Sequence, residues 1–396
     1  MENSMRNIKV LDFSQALAGP YCTLMLGDAG AEIIKVERPG SGDMSRAWGA
    51  EFTPGMNSYF ASINRNKKCM TVRMDSDEGR DIIHRLAKWA DVVVENYRPG
   101  VTGKLGIDYE TLSKINPGIV YCSITGFGTV GPDKKRPGFD LIAQGMGGVM
   151  GITGQKGGMP TKVGVAIGDI IAGMFGAFGV MRALFEREHT GVGQHLETSL
   201  LEGQMALLTF QAGGYFITGK SPEPAGNIHP FIAPYETFPT RDGYINIAAG
   251  NDGLWSKLCA VLDIPELEKD PRFDTNPKRV QNRPELVPLL EKETVKYGKD
   301  ELLEKVGKAG IPVGPVNTFE ELFSSEQVKA LQTVQEVVHP KVGKMKVIKS
   351  PINYSKTPDE IRTPPSLLGE HTEEILAGVL NLSEAEIQAL KEKSII

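Results

Sequence analysis

At 396 residues, with 40% apolar and 23% charged residues, the chain is long enough for two domains with sizeable cores and has the balance of a soluble globular protein. Its 44 basic and 49 acidic residues leave a net charge of −5, which excludes a global field for nucleic acid or anionic lipid but permits a local basic pocket. Cys22, Cys69, Cys122 and Cys259 form no C-x-x-C pair, so they read as core thiols rather than a disulfide framework.

In chain order, Ile8 to Phe13 is a strand, Pro20 to Ala29 a helix and Glu32 to Val36 a second strand, one βαβ unit and the seed of a parallel sheet. An amphipathic helix over Asp75 to Ala90 leads to a strand at Asp91 to Glu95. A helix at Tyr109 to Ile115 precedes another strand at Ile119 to Ile124. This alternation predicts a nucleotide-type α/β layer, with ligands at the carboxyl ends of the strands. A glycine-studded apolar helix follows Gly168-Asp169, then a glycine turn at Thr190 to Gln194 and a second long helix from Thr198 to Phe216. The Pro- and Gly-rich linker Ser221 to Gly226 opens a different region: a hairpin over Tyr235 to Phe238 and Gly243 to Ala249, then charged helices at Leu254–Leu262, Arg283–Tyr297 and Asp300–Ala309. Beyond Thr318 come a helix, a strand pair around Val337 and Met345 to Ile348, a Pro-rich stretch and a last amphipathic helix ending near Lys391. The expected domains are 1–224, a smaller one at 225–320, and a C-terminal part, 321–396, that returns to the first.

Residues Met1 to Arg6 lead into an apolar run broken at Lys9 and Asp12, which is no signal-peptide core. The run from Ile170 to Leu184 contains Arg182 and is shorter than the roughly 18–20 residues of a membrane span. A cytoplasmic protein with no membrane or nucleic-acid partner is the expectation.

Gly126-Phe127-Gly128-Thr129-Val130-Gly131 matches G-x-G-x-x-G, but Pro132 to Pro137 is a charged loop where a dinucleotide site needs a helix N-terminus. The six histidines are dispersed, and no metal site is expected. Basic residues recur near strand ends: Arg38, Lys67, Lys68, Arg98 and Lys104, with Asn96 and Tyr97 beside them. Singly these are solvated charges; together they would clamp a phosphate-rich molecule while Tyr97 covers an aromatic ring. Asp169 has two readings. It is an N-cap for the helix that follows, or it is a nucleophile set among small residues that leave room for a ligand.

Seven stretches in order resemble the family III coenzyme A transferases, the formyl-CoA and carnitine-CoA transferase group. They are Leu17-Ala18-Gly19-Pro20, Gly30 to Glu37, Asn64 to Lys68, Val94 to Gly100, Gly168-Asp169, Thr190 to Gln194 and Leu368 to Thr372. The resemblance implies a Rossmann-like α/β large domain built from both ends of the chain, a smaller α+β domain, and an interlocked homodimer. It implies that Asp169 is catalytic and that Arg38, Val72, Asn96, Tyr97, Arg98 and Lys104 lie along the CoA site, to which Arg136 is added. CoA and acyl-CoA are then substrates, with no permanently bound cofactor.

Leu17 and Pro137 stand where the formyl-CoA branch has glutamine and lysine, and its glycine run is absent before Pro230. The pattern is closer to transferases that use succinyl-CoA and dicarboxylic acids. The expected chemistry is acyl exchange through anhydride and thioester intermediates on Asp169, with the helix N-terminus offsetting the effect of burial on that carboxylate. The alternatives are a 2-methylacyl-CoA racemase of the same fold and a CoA-binding protein without catalysis. Phe139, where the racemase branch carries a proton-transferring histidine, argues for exchange; Asp140 reads as a structural carboxylate or one behind the nucleophile.

Overall fold

Val92-Val93-Val94 is apolar at every position because both faces of its strand are covered, the mark of a buried parallel sheet. In the computed structural model, which describes residues 3–53 and 55–396, alternate residues of such strands enter two cores. Leu11, Ile34, Val93 and Tyr121 pack on one face with Ile83 and Leu86; Val10, Ile33, Val92 and Val94 pack on the other with Cys22, Ala177 and Val180. All four cysteines are buried thiols.

Six strands form the sheet: β1 (Lys9–Asp12), β2 (Glu32–Glu37), β3 (Lys67–Thr71), β4 (Val92–Glu95), β5 (Val120–Thr125) and β6 (His195–Ser199). They pair parallel in the order β3-β2-β1-β4-β5-β6, with Val10 between Ile33 and Val92. The strand order reverses at β1, so the crevice outside the carboxyl ends of β1 and β4 is where a doubly wound sheet takes its ligand. The connecting helices are α1 (Ala18–Asp28), α2 (Ser58–Ile63), α3 (Asp77–Trp89), α4 (Val101–Leu105), α5 (Tyr109–Ile115), α6 (Asp140–Met146) and α7 (Ile167–Thr190). After β6 come α8 (Leu200–Leu207) and α9 (Thr209–Thr218).

Two expectations change here. The residues after the glycine turn open with strand β6, and the long helix expected at 198–216 is two helices broken at Thr209, whose φ is +33°. The helix α7 is 24 residues and, by length and composition, long and apolar enough to cross a membrane, so the expected shortfall does not hold. One face of it packs closely on the large unit: a Cβ on Gly173 would lie 2.5 Å from the Ala18 carbonyl oxygen, and one on Gly176 2.9 Å from Ile124 Cδ1. The glycines therefore bring α7 close to α1 and the sheet.

The chain divides into a large unit, 1–150, 162–220 and 331–396, and a smaller one, 151–161 and 221–330. The smaller unit thus differs from the expected 225–320 by taking in 221–224, 321–330 and 151–161, where the Gly226 N–H donates to the Gly154 carbonyl, and the returning C-terminal part begins at 331 rather than 321. It holds an antiparallel sheet of Tyr235–Pro239, Tyr244–Ala248 and Val313–Pro315 over a core of Phe238, Trp255, Phe273 and Leu286. The third strand was not expected from its glycine and prolines. In the large unit, C-terminal Ile375, Leu376 and Ile395 fill the core beside β1 and β4, and the Ile395 carbonyl accepts from Arg73 N–H.

Candidate active site

A cleft of about 220 Å³ lies at the carboxyl ends of β1 to β4, lined by Ser14, Gln15, Glu37, Arg38, Asp43, Val72, Arg73 and Tyr97 among others. Most of the lining comes from the last residues of these strands and the loops that follow them, with Leu105 added from α4, so the sheet order places the cleft. Asn96 braces it, donating from Nδ2 to the Gln15 carbonyl and accepting the Gln15 N–H at Oδ1, both at 2.8 Å. Tyr97 N–H donates to Glu95 Oε2 at 2.7 Å, and burial pushes the Glu95 carboxyl up to about 7.

Beneath the cleft lies a buried charge network. Lys35 Nζ sits 2.9 Å from Asp43 Oδ2 and donates to the Ser14 carbonyl. Asp43 Oδ1 accepts from the N–H groups of Ala16 and Ser45 and from the Ser45 hydroxyl, holding Ala16 at φ +63°. Lys67 Nζ lies 3.2 Å from Asp12 Oδ2 and donates to Pro20 and Asn64 oxygens. Burial opposes the charge of Asp12, but Lys35 and Lys67 more than offset it and hold the carboxyl at about 2. Burial takes Lys67 down to about 8, since it shares its one carboxylate with Lys35. Lys35, facing both Asp43 and Asp12, is raised despite burial.

Asp169 stands at the third position of α7, not at its N-cap, which is Ala166 with no side-chain hydrogen bond. Capping falls instead to Asp140 of α6, whose Oδ1 accepts the Gly168 N–H at 2.8 Å while Oδ2 takes Gln144 Nε2 at 2.7 Å. No hydrogen bond or ion pair reaches the Asp169 carboxylate from the described residues, and burial, with Asp140's charge added, raises it to about 7. Tyr59 joins this group to the cleft: after burial, the charges of Asp169, Asp43 and Asp140 all push its phenol up, to about 12, and its ring meets Trp48 edge-on at 5.2 Å. The start of α1, two residues beyond Ala16, packs on α7 one turn past Asp169.

Of the anticipated residues, Arg38, Val72 and Tyr97 line one cleft. Asn96 is its brace. Arg98 and Lys104 are exposed beside the lining residues Tyr97 and Leu105 without themselves lining it. Arg136 is exposed in the 132–137 loop, 3.6 Å from Asp133 and over the Phe127 ring at 5.8 Å. Lys67 and Lys68 leave the proposed clamp: one is sealed against Asp12, the other engages Glu32 and Glu374. Asp43, Trp48 and Tyr59 were missed; they carry no motif, and the only hint is a polar, aromatic stretch between two strands. Among the described residues, no group of three or more His, Cys, Asp or Glu is placed to hold a metal.

The model for CoA-transferase family III matches residues 5–372. The chain belongs to CoA-transferase family III. This transferase is 43% identical to the succinyl-CoA:glutarate CoA-transferase of Mus musculus over 386 residues, 98% of this chain and 88% of that one. It is 36% identical to the succinyl-CoA–D-citramalate CoA-transferase of Chloroflexus aurantiacus, covering 98% and 97%. Its fold is similar to that of a CAIB/BAIF family protein from Brucella suis, with TM-score 0.88, 40% identity and coverage of 96% and 100%. In the transferase the Gly126 to Gly131 stretch is a bend with no helix after it, so it offers no helix N-terminus to a pyrophosphate. Phe139 is the N-cap of α6 and 54% exposed.

Proposed function

We propose that this transferase moves CoA from succinyl-CoA to a second dicarboxylic acid, with glutarate the first acceptor to try and Asp169 as nucleophile. The observation that carries the reading is the unpartnered Asp169 carboxylate at the head of α7, in a chain of this family. A carboxylate needs no general base to attack, provided it is ionised. An Asp169 oxygen adds to the thioester carbonyl and the C–S bond breaks, leaving a mixed anhydride and CoA thiolate. The thiolate attacks the aspartyl carbonyl, releasing the donor acid and leaving an aspartyl-CoA thioester. The acceptor carboxylate then attacks that carbonyl to give a second anhydride and thiolate. Attack of thiolate on the acceptor carbonyl yields the new acyl-CoA and restores Asp169.

CoA enters and leaves as substrate. Arg38 lines the cleft, and Arg98 and Lys104 lie beside lining residues, so the three supply cations for its phosphates. Arg136 has no such neighbour and is the weakest member of the expected set. The reading includes an interlocked homodimer, which would cover the apolar residues Phe175, Phe178, Phe185 and Phe216 that α7 and α9 leave exposed.

The test is a mass-spectrometric matrix of acyl-CoA donors against carboxylic acids, for wild type and Asp169→Ala. Exchange between succinyl-CoA and a dicarboxylate, abolished in the variant with CoA binding retained, is expected. Hydroxylamine added with acyl-CoA should leave a hydroxamate at Asp169. An active alanine variant overturns the assignment, and exchange confined to monocarboxylates overturns the substrate class.

A further inference from the structure

Gln204 of α8 is wholly buried, yet neither its Oε1 nor its Nε2 has a hydrogen-bond partner. A carboxamide so placed carries an uncompensated desolvation penalty, which is recovered only where it finds partners. Its slot is built by two glycines. A Cβ on Gly147 would fall 2.4 Å from Gln204 Cβ, and one on Gly168 would fall 2.8 Å from its Nε2. Neither position needs glycine for its backbone: Gly147 has φ −80° and Gly168 is helical. At Gly147 the stem of Gln204, with the Ala143 carbonyl oxygen at 2.9 Å, leaves no room for a side chain, and at Gly168 the space is taken up by the Gln204 amide end.

The same point beside Gly168 lies 3.1 Å from Asp140 Oδ1, so the unpartnered Nε2 and the capping carboxylate converge on the residue before Asp169. Asp140 Oδ2 is taken by Gln144, whereas Oδ1 has only the Gly168 N–H and retains acceptor capacity. The charge that acts on Asp169 is that of Asp140 on α6, and Asp169 acts in turn on the Tyr59 phenol of α2; neither is a cation. On the other elements packed against α7, Tyr21 of α1 lies at Gly173 and Glu202 of α8 is held by the Ser199 hydroxyl. Relief of the repulsion between two carboxylates must therefore come from neutral donors.

We propose that Gln204 is a positioning residue for the nucleophile: its Nε2 donates to Asp140 Oδ1 when Asp169 is ionised, drawing charge away from Asp169 and steadying the first turn of α7. The proposal rests on Asp169 as nucleophile, and its test has one readout that does not depend on transfer. In the full chain, the pH midpoint for carbodiimide labelling of Asp169 is followed by peptide mass spectrometry in wild type and Gln204→Met. Loss of the donor is expected to raise the midpoint by about 0.5–1 pH unit, a threefold to tenfold loss of ionised carboxylate on the acid side.

The acid limb of kcat/KM for succinyl-CoA should move with the midpoint, while KM for succinyl-CoA stays near wild type. The melting temperature should not fall, because the variant removes unpaired polar atoms from the core. An unchanged midpoint in folded Gln204→Met overturns the proposal. Should that variant fail to fold, Gln204→Glu, which replaces the donor with an acceptor, must raise the midpoint at least as far, and an unchanged value there overturns it equally. A wild-type chain that labels normally but transfers nothing overturns the proposed function and leaves the midpoint comparison to decide on Gln204.

Discussion

Asp169 is an acid that burial and a like charge keep partly protonated at neutrality, so the nucleophilic role proposed for it should switch on with rising pH. The rate constant kcat/KM is expected to climb through about 7. The same shift works against the fold. Between the unfolded carboxyl's usual range near about 3.9 and the folded value, the native state binds the extra proton, so stability falls as pH rises through that window. Asp169→Asn should therefore abolish exchange and raise stability by roughly 2–4 kcal/mol at pH 8, with little change at pH 4, as read by urea melts. Asn96→Ala removes both hydrogen bonds to Gln15; it should raise KM for acyl-CoA more than it lowers kcat and lose about 1–3 kcal/mol of stability. At this scale the sequence was legible where a residue acts alone and opaque where it acts through a distant one. Asp169 stood out by its isolation. Lys67 looked like a solvent-facing cation because its partner Asp12 lies 55 residues earlier and two strands across the sheet.

Among the elements, α7 carries the sharpest steric argument. Gly→Ala in a helix ordinarily stabilises by about 1 kcal/mol. At Gly173 the new methyl would meet a backbone oxygen of α1 at 2.5 Å, so Gly173→Ala should destabilise by roughly 1–3 kcal/mol in thermal or urea melts and weaken activity by shifting α1 away from Asp169. Under the cleft, Lys67→Met leaves Asp12 buried without its closest cation and should destabilise by about 3 kcal/mol or more. The helix–strand alternation of the first 125 residues could be read at β1, β2, β4 and β5, each of which has an apolar centre such as Val10-Leu11 or Val92-Val93-Val94, but not at β3, where Lys67-Lys68 opens the strand. β6 could not: His195-Leu196-Glu197-Thr198-Ser199 is short, half polar and at the sheet edge, where one missing neighbour removes the demand for an apolar face. The strand Val313–Pro315 was hidden by its own glycine and proline.

For the whole molecule, the division into two units followed composition only in part, since the segment 151–161 joins the smaller unit by contacts no local pattern announces. The exposed aromatic and aliphatic residues of α7 and α9 sharpen the expectation of a second copy. Light scattering at micromolar concentration should give twice the 43.1 kDa of one chain, and a monomer at that concentration would overturn it.

The placement of Ile375, Leu376 and Ile395 in the first core bears on how the protein is made. The strands β1 to β4 leave the ribosome hundreds of residues before the side chains that finish their core, so the large unit cannot close until residue 395 has emerged. Completion waits on Ile395 and its neighbour Ile396. A nascent chain halted before Ile395 should stay sensitive to protease across its sheet, and cutting the chain ahead of residue 375 is an intervention at the centre of the molecule rather than at its edge.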